Sequence, residues 1–296
     1  MALNKRTFQT RTLTAIIFVV VMLAGLLINQ WTFYALFFVI HWGCWNEFIK
    51  LSDKINPSYY GESDKKSKEA AMLTGCGFLV FCLPHVLTVS QFKVYYLGII
   101  MMVAGTLYFL FRLMHESSER RGALLKYSLS GFAYISLTWG AMISLREMNL
   151  TDIPLGYIAA LTLIGSIWIN DTMQYIVGSL TGKTPFSQIS PNKTLEGTLG
   201  GSLLCVVVVG VIGYFCKREL LSLFIYIALF AAIVGTFGDL LESKLKRMAG
   251  VKDSGSFMPG HGGFLDRFDS LILSVPFVWI AIEWVMILFR QQTKTF

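Results

Sequence analysis

The sequence predicts an all-α, polytopic integral membrane protein with about nine transmembrane helices. Three observations carry that prediction. Of the 296 residues, 54% are hydrophobic and 15% are charged, against about 25% charged in soluble domains. Mean hydropathy is +0.59. Apolar runs of about 20 residues, the length that crosses a hydrocarbon core, recur along the chain.

The runs justify themselves in order. The first, 12–29, shows no small-residue cleavage site, and a second follows at 32–50, so it reads as a retained helix and not a signal peptide. The linker "KINPSYYGESDKKSKEA", 54–70, reads as a solvated loop. Runs three to five lie at 70–90, 94–114 and 127–146, the third and fifth being rich in Gly, Ser and Thr. The sixth, 154–180, holds Asn170 and Asp171 in otherwise apolar surroundings. An ionisable residue at such depth is a functional candidate, with a satisfied structural Asp as the plainer alternative. The last three lie at 198–216, 219–238 and 271–290. This organisation sets a region of N-terminal spans, 1–150, before a C-terminal region, 151–296, that carries the unusual polar loops.

Lysine and arginine orient the chain. Threading it back and forth puts Lys5, Arg6 and Arg11 on one side. The same side collects the basic linkers around Lys65, Arg120, Lys193 and Lys246. Far fewer cations fall opposite, so the N-terminus is expected in the cytoplasm. The net charge of +7 is mostly this inward bias, and no nucleic-acid partner is expected. A bacterial inner membrane is the expected location. Cys44, Cys76, Cys82, Cys205 and Cys216 lie in or beside apolar runs without metal-type spacing, and read as small apolar residues. His41, His85 and His115 stand without a motif around them and read as packing or interface residues.

Both unusual polar stretches fall on the cytoplasmic side. "GSLTGKT", 178–184, has one residue too few between its glycines for a phosphate-binding P-loop and follows a membrane run instead of a strand, so that reading is rejected. The richer stretch runs from Asp239 to Asp269. Asp239, Glu242, Ser243 and Lys246 share one helical face. Gly250 is placed to end that helix. Lys252 and Asp253 follow, then "PGHGG" with His261, Gly262 and Gly263, whose backbone can approach a ligand closely. Asp266 and Asp269, three apart, share a face of the next helix, while Arg267 points elsewhere. Several carboxylates this close call for a cation. Dense oxygen ligands suit Mg²⁺, one ion or two, and Mg²⁺ usually brings phosphates. The neighbouring cations suit those phosphates. A stop-transfer charge cluster is the plainer alternative.

The segment "SKLKRMAGVKDSGSFMPGHGGFLDRFDS", 243–270, resembles the signature of the phosphatidate cytidylyltransferases, also called CDP-diacylglycerol synthases. Ser243, Lys246, Arg247, Lys252, Asp253, His261, Gly262, Gly263, Asp266, Arg267 and Asp269 all fit it. "SPNKTLEG", 190–197, and "NDTMQYIVG", 170–178, are similar to two further family elements. The resemblance covers about 165–275. It departs from the family at Met173 and Gln174, where small residues are common.

The resemblance implies a reaction: CTP and phosphatidate give CDP-diacylglycerol and pyrophosphate. It also implies roles. Asp239, Asp266 and Asp269 would bind the divalent metal, with Asp253 a weaker candidate. Lys193, Lys246, Arg247, Lys252 and Arg267 would neutralise the phosphates. His261, Gly262 and Gly263 would shape the phosphate turn, and Asp171 would line the site. A homodimer fits the same family. A CTP-dependent polyprenol or lipid kinase, moving the γ-phosphate, is the nearest alternative, and a membrane transporter a more distant one.

Overall fold

The computed structural model describes residues 5–57, 62–85, 87–89, 92–149, 153–258 and 262–292. Among the described residues the regular elements are helices apart from one short hairpin, Thr88–Val89 against Phe92–Lys93 (β1 and β2). The helices are α1 (Lys5–Leu27), α2 (Gln30–Ile55), α3 (Glu62–Phe81), α4 (Val94–Met114), α5 (Ser118–Gly131) and α6 (Leu137–Arg146). They continue with α7 (Leu155–Thr181), α8 (Leu195–Cys216), α9 (Leu221–Met248) and α10 (Leu265–Gln292). Among the described residues five helical segments are long and apolar enough to cross a membrane: Val94–Met114, Ser118–Arg146, Leu195–Cys216, Arg218–Met248 and Leu265–Ile287. The protein is therefore an all-α membrane protein.

Three expected boundaries are corrected. The third run does not continue as helix to residue 90: α3 ends at Phe81 and the chain turns into the hairpin. Pro84 explains this, since proline disfavours helix in the residue before it. The linker 54–70 is not one loop, because α3 already starts at Glu62. Its Lys, Glu and Ala residues favour helix, and Lys68 is buried in an ion pair with Asp53 of α2. The fifth run begins earlier, at Ser118, and contains a π-helical turn, Phe132–Ser136, between α5 and α6.

The chain forms two compact units, 1–143 with 245–268, and 144–244 with 269–296. The first has an aromatic core. Phe37 packs on Trp139 with ring centroids 5.4 Å apart, and Trp139 meets Phe268 edge-on at 5.7 Å. α3 and α4 approach almost backbone to backbone. A Cβ added at Gly98 would lie 2.4 Å from the Phe81 nitrogen, so the small residue is what permits the contact. The π turn delivers Ser136 into this core. Its Oγ accepts from the Trp45 indole at 2.9 Å and lies 3.0 Å from His41 Nε2.

In the second unit small residues again set the helix spacing. Gly201 of α8 packs on the Gln174 backbone of α7. A Cβ at Gly238 of α9 would lie 2.5 Å from the Asp269 carbonyl oxygen of α10. Ala159, Ala228, Ala231, Val275 and Val278 are buried in this unit.

Candidate active site

In the second unit, α9 presents Asp239 and, one turn on, Glu242, while α10 presents Asp269. One carboxylate oxygen from each lies within 4.8 Å of the others. The glycine contact at Gly238 is the local cause, because it lets the two helices come close enough for carboxylates on both to meet. Glu242 is fully buried, at 0% exposure. Ser243 Oγ donates weakly to Asp239 Oδ1 at 3.4 Å. Three carboxylates at this separation suit a divalent cation held by oxygen ligands.

Lys193 reaches this cluster and forms an ion pair with Asp239. The loop that carries it is braced. Pro185 and Thr194 form an isolated bridge, and Phe186 N–H donates to Lys193 O at 2.8 Å. Thr194 caps α8 by accepting from Gly197 N–H. Glu196 accepts from the backbone N–H groups of Lys183 and Thr184 and from the Thr184 hydroxyl. Two amides of the P-loop look-alike, those of Lys183 and Thr184, are thus occupied by a carboxylate of the chain itself. Asp171 is exposed on α7, and its neighbour Asn170 is buried. Gln174, at the departure from the family pattern, donates to Thr236 Oγ1 of α9 at 3.0 Å.

The first unit holds the rest of the signature. Gly250 takes a left-handed φ of 66° just past the end of α9, the helix stop its position predicts. Arg247 donates to Val251 O at 3.2 Å across that turn. Lys246 Nζ donates to Asp266 Oδ1 at 2.6 Å. Asp266 Oδ2 accepts from Ser254 N–H and Oγ–H at 2.8 Å each and from Gly263 N–H at 2.7 Å. Gly262 has φ +84°, and a Cβ there would lie 2.5 Å from Asp266 Oδ2, so both the conformation and the space demand glycine. Lys252, Asp253, Arg247 and Arg267 are exposed. His261, with Pro259 and Gly260, lies outside the described residues.

Asp239 and Asp269 lie together with Glu242, while both oxygens of Asp266 accept from Lys246, Ser254 and Gly263. Two further acidic residues emerge. Glu242 follows Asp239 at the i, i+3 spacing of one helix face, which the sequence displays. Glu47, in "HWGCWNEFIK" of α2, is 6% exposed. It accepts from Phe264 N–H at 2.8 Å and Leu265 N–H at 2.9 Å, and shares the one Ser254 hydroxyl hydrogen with Asp266, its Oε2 lying 2.7 Å from that Oγ. The rule that singled out Asp171, an ionisable group in an apolar run, applies equally to Glu47.

Comparison with known proteins adds an independent line. The profile of the cytidylyltransferase family matches residues 9–285. A phosphatidate cytidylyltransferase of Bacillus subtilis (strain 168) is 38% identical over 151 residues, 50% of this chain and 55% of that protein. The phosphatidate cytidylyltransferase of Helicobacter pylori (strain ATCC 700392 / 26695) is 47% identical over 121 residues, 40% and 44% of the two chains. That of Synechocystis sp. is 43% identical over 138 residues, 44% and 45%. The chain spans about half the length of the curated relatives it matches.

Proposed function

The chain belongs to the cytidylyltransferase family, and from that premise we propose that it transfers the cytidylyl group of CTP to phosphatidate, giving CDP-diacylglycerol and pyrophosphate. The observation that carries the reading is the Asp239–Glu242–Asp269 cluster with Lys193 ion-paired beside it. It joins acidic groups fit for a metal to a cation fit for phosphate.

The chemistry asks little of a general base. A phosphatidate oxygen, already anionic near neutral pH, attacks the α-phosphorus of CTP. A new P–O bond forms, the bond from the α-phosphorus to the bridging oxygen breaks, and its electron pair leaves with pyrophosphate. Positioning and charge neutralisation supply the rate. Asp239, Glu242 and Asp269 would hold Mg²⁺, which supplies Lewis-acid polarisation of phosphate oxygens and orients them. Lys193 places its ammonium beside that cluster. Lys246, oriented by Asp266, neutralises phosphate charge, as do the exposed Lys252, Arg247 and Arg267. Gly262, with its left-handed φ, and Gly263, whose N–H is held by Asp266, shape the turn that follows His261 in the sequence. Ser243 and Asp171 join the acidic cluster of the second unit, and Asp253 the signature loop of the first.

The same reading places the enzyme in a bacterial inner membrane as a homodimer with about nine spans. Helices α1, α2, α3 and α7 join the five most apolar segments as spans, and the N-terminus and signature loops face the cytoplasm. The lysine and arginine asymmetry supports that orientation. Labelling of single cysteines introduced at Lys65 and at Lys217 in intact cells tests it, since only the second is expected to react with an impermeant reagent.

The reaction is tested with purified full-length protein in detergent, short-chain phosphatidate, Mg²⁺, and CTP labelled at the α or γ phosphate. The expected result is α-label in the lipid and γ-label in pyrophosphate. γ-Label in the lipid would establish a CTP-dependent lipid kinase instead. Transfer of neither label, from protein with a cooperative melting transition, would overturn both.

A further inference from the structure

Helix α10 begins at Leu265 inside a tight cage, and its first free amides need acceptors. Those acceptors come from far away in sequence. Glu47 of α2 takes the N–H groups of Phe264 and Leu265, one on each carboxylate oxygen. It also holds Ser254 Oγ, 2.7 Å from its Oε2, and the same hydroxyl lies 2.8 Å from Asp266 Oδ2. Asp266 in turn holds Lys246. The backbone is shaped around this one carboxylate. A Cβ at Gly255 would lie 2.2 Å from Glu47 Oε1, and one at Gly263 would lie 2.3 Å from both oxygens. Two glycines of the signature stretch are thus required by Glu47.

We propose that Glu47 is a positioning residue for the proposed reaction: it fixes the start of α10 together with Ser254 and Gly255, so that Asp266 and Lys246 keep one geometry. The α2 helix is then part of the catalytic apparatus without touching substrate. The inference rests on the cytidylyltransferase reading for its kinetic consequence but not for its structural one.

The chemistry of Glu47→Gln makes the test sharp. A carboxamide has one acceptor oxygen and one NH₂ group, so either Phe264 or Leu265 loses its acceptor and faces a donor instead. Losing a hydrogen bond to a charged group corresponds to roughly tenfold or more in the opening equilibrium. The experiment compares wild type, Glu47→Gln and Gly255→Ala as full-length protein in detergent. Hydrogen exchange at 262–268 is followed by mass spectrometry, together with melting and the KM values of CTP and phosphatidate. The expected result is exchange at 262–268 about tenfold faster in both variants at a retained melting transition. The KM of at least one phosphate substrate should rise by a similar factor. A purely structural role would lower the folded fraction, and hence the maximal rate, while leaving KM unchanged. Unaltered exchange at 262–268, or unaltered KM values in folded protein, would overturn the proposal. If Glu47→Gln does not fold, Gly255→Ala decides the matter, because it displaces the same carboxylate from the other side. Should the wild type transfer no cytidylyl group, the reaction assignment falls, while the exchange result still decides whether Glu47 holds the helix start.

Discussion

Gly238→Ala tests whether backbone contact between α9 and α10 sets the spacing of the acidic cluster. The added Cβ would lie 2.5 Å from the Asp269 carbonyl oxygen and 3.1 Å from the Ser270 Cα. Ordinary contact begins near 3.4 Å, so the helices must separate by up to about 0.9 Å. Both atoms are backbone, and no side chain can swing aside. Overpacking of this kind costs about 1–3 kcal/mol, which a helical membrane protein can survive. Function is far less tolerant, because metal ligands hold their distances to about 0.2 Å. A misplacement of about 1 Å can cost 10²-fold in rate. The variant should therefore fold, melt a few degrees lower and lose about a hundredfold in kcat. Gly165→Ala in α7 is the control, since its Cβ would meet nothing within 4 Å. It should keep full activity and gain up to about 1 kcal/mol of stability. The assay is cytidylyl transfer over a Mg²⁺ titration, with thermal unfolding in detergent on the same preparations. Wild-type kcat in folded Gly238→Ala protein would refute the argument that this glycine sets the carboxylate spacing.

Two other expectations concern separate parts of the molecule. Glu242→Gln replaces one carboxylate of the cluster by a neutral amide and should raise the Mg²⁺ concentration for half-maximal activity at least about tenfold; an unshifted titration would remove Glu242 from the metal set. Ser136→Ala strips the shared partner from the Trp45 indole and His41 and should lower unfolding stability by about 1–3 kcal/mol with the KM for CTP unchanged; an unchanged melting temperature would show that the pair finds another partner.

Much of the architecture is legible from hydropathy because a bilayer imposes one length scale on every span. What hydropathy misses is local chemistry. It carries α3 through to residue 90, whereas Pro84 and the following hairpin close it at Phe81. It treats "SDKKSKEA" as loop, although such residues are good helix formers once Lys68 finds Asp53. The π turn at Phe132–Ser136 leaves no periodic trace. In the candidate site, Asp239 and Asp269 are readable because each stands at a membrane-helix end among polar neighbours. Glu242 is readable from its spacing. Asp266 is readable as an acidic residue of the signature, but the donors that Ser254 and Gly263 turn toward it are not. Glu47 is the hardest to find. Its partners lie 207 to 218 residues away, and a contact across that distance is a property of the fold and not of any local pattern.

The Glu196 clamp has a consequence for how Lys193 works. Lysine side chains lose much conformational freedom when fixed, and a free loop would spread the ammonium over a wide volume. By gripping Lys183 and Thr184, 12 to 13 residues back along the chain, Glu196 ties the two ends of the loop together before any ligand arrives. The closure entropy is met in folding, so the ammonium is offered to Asp239 at a high effective concentration. A stretch that imitates a nucleotide-binding loop in sequence thereby serves as a tether.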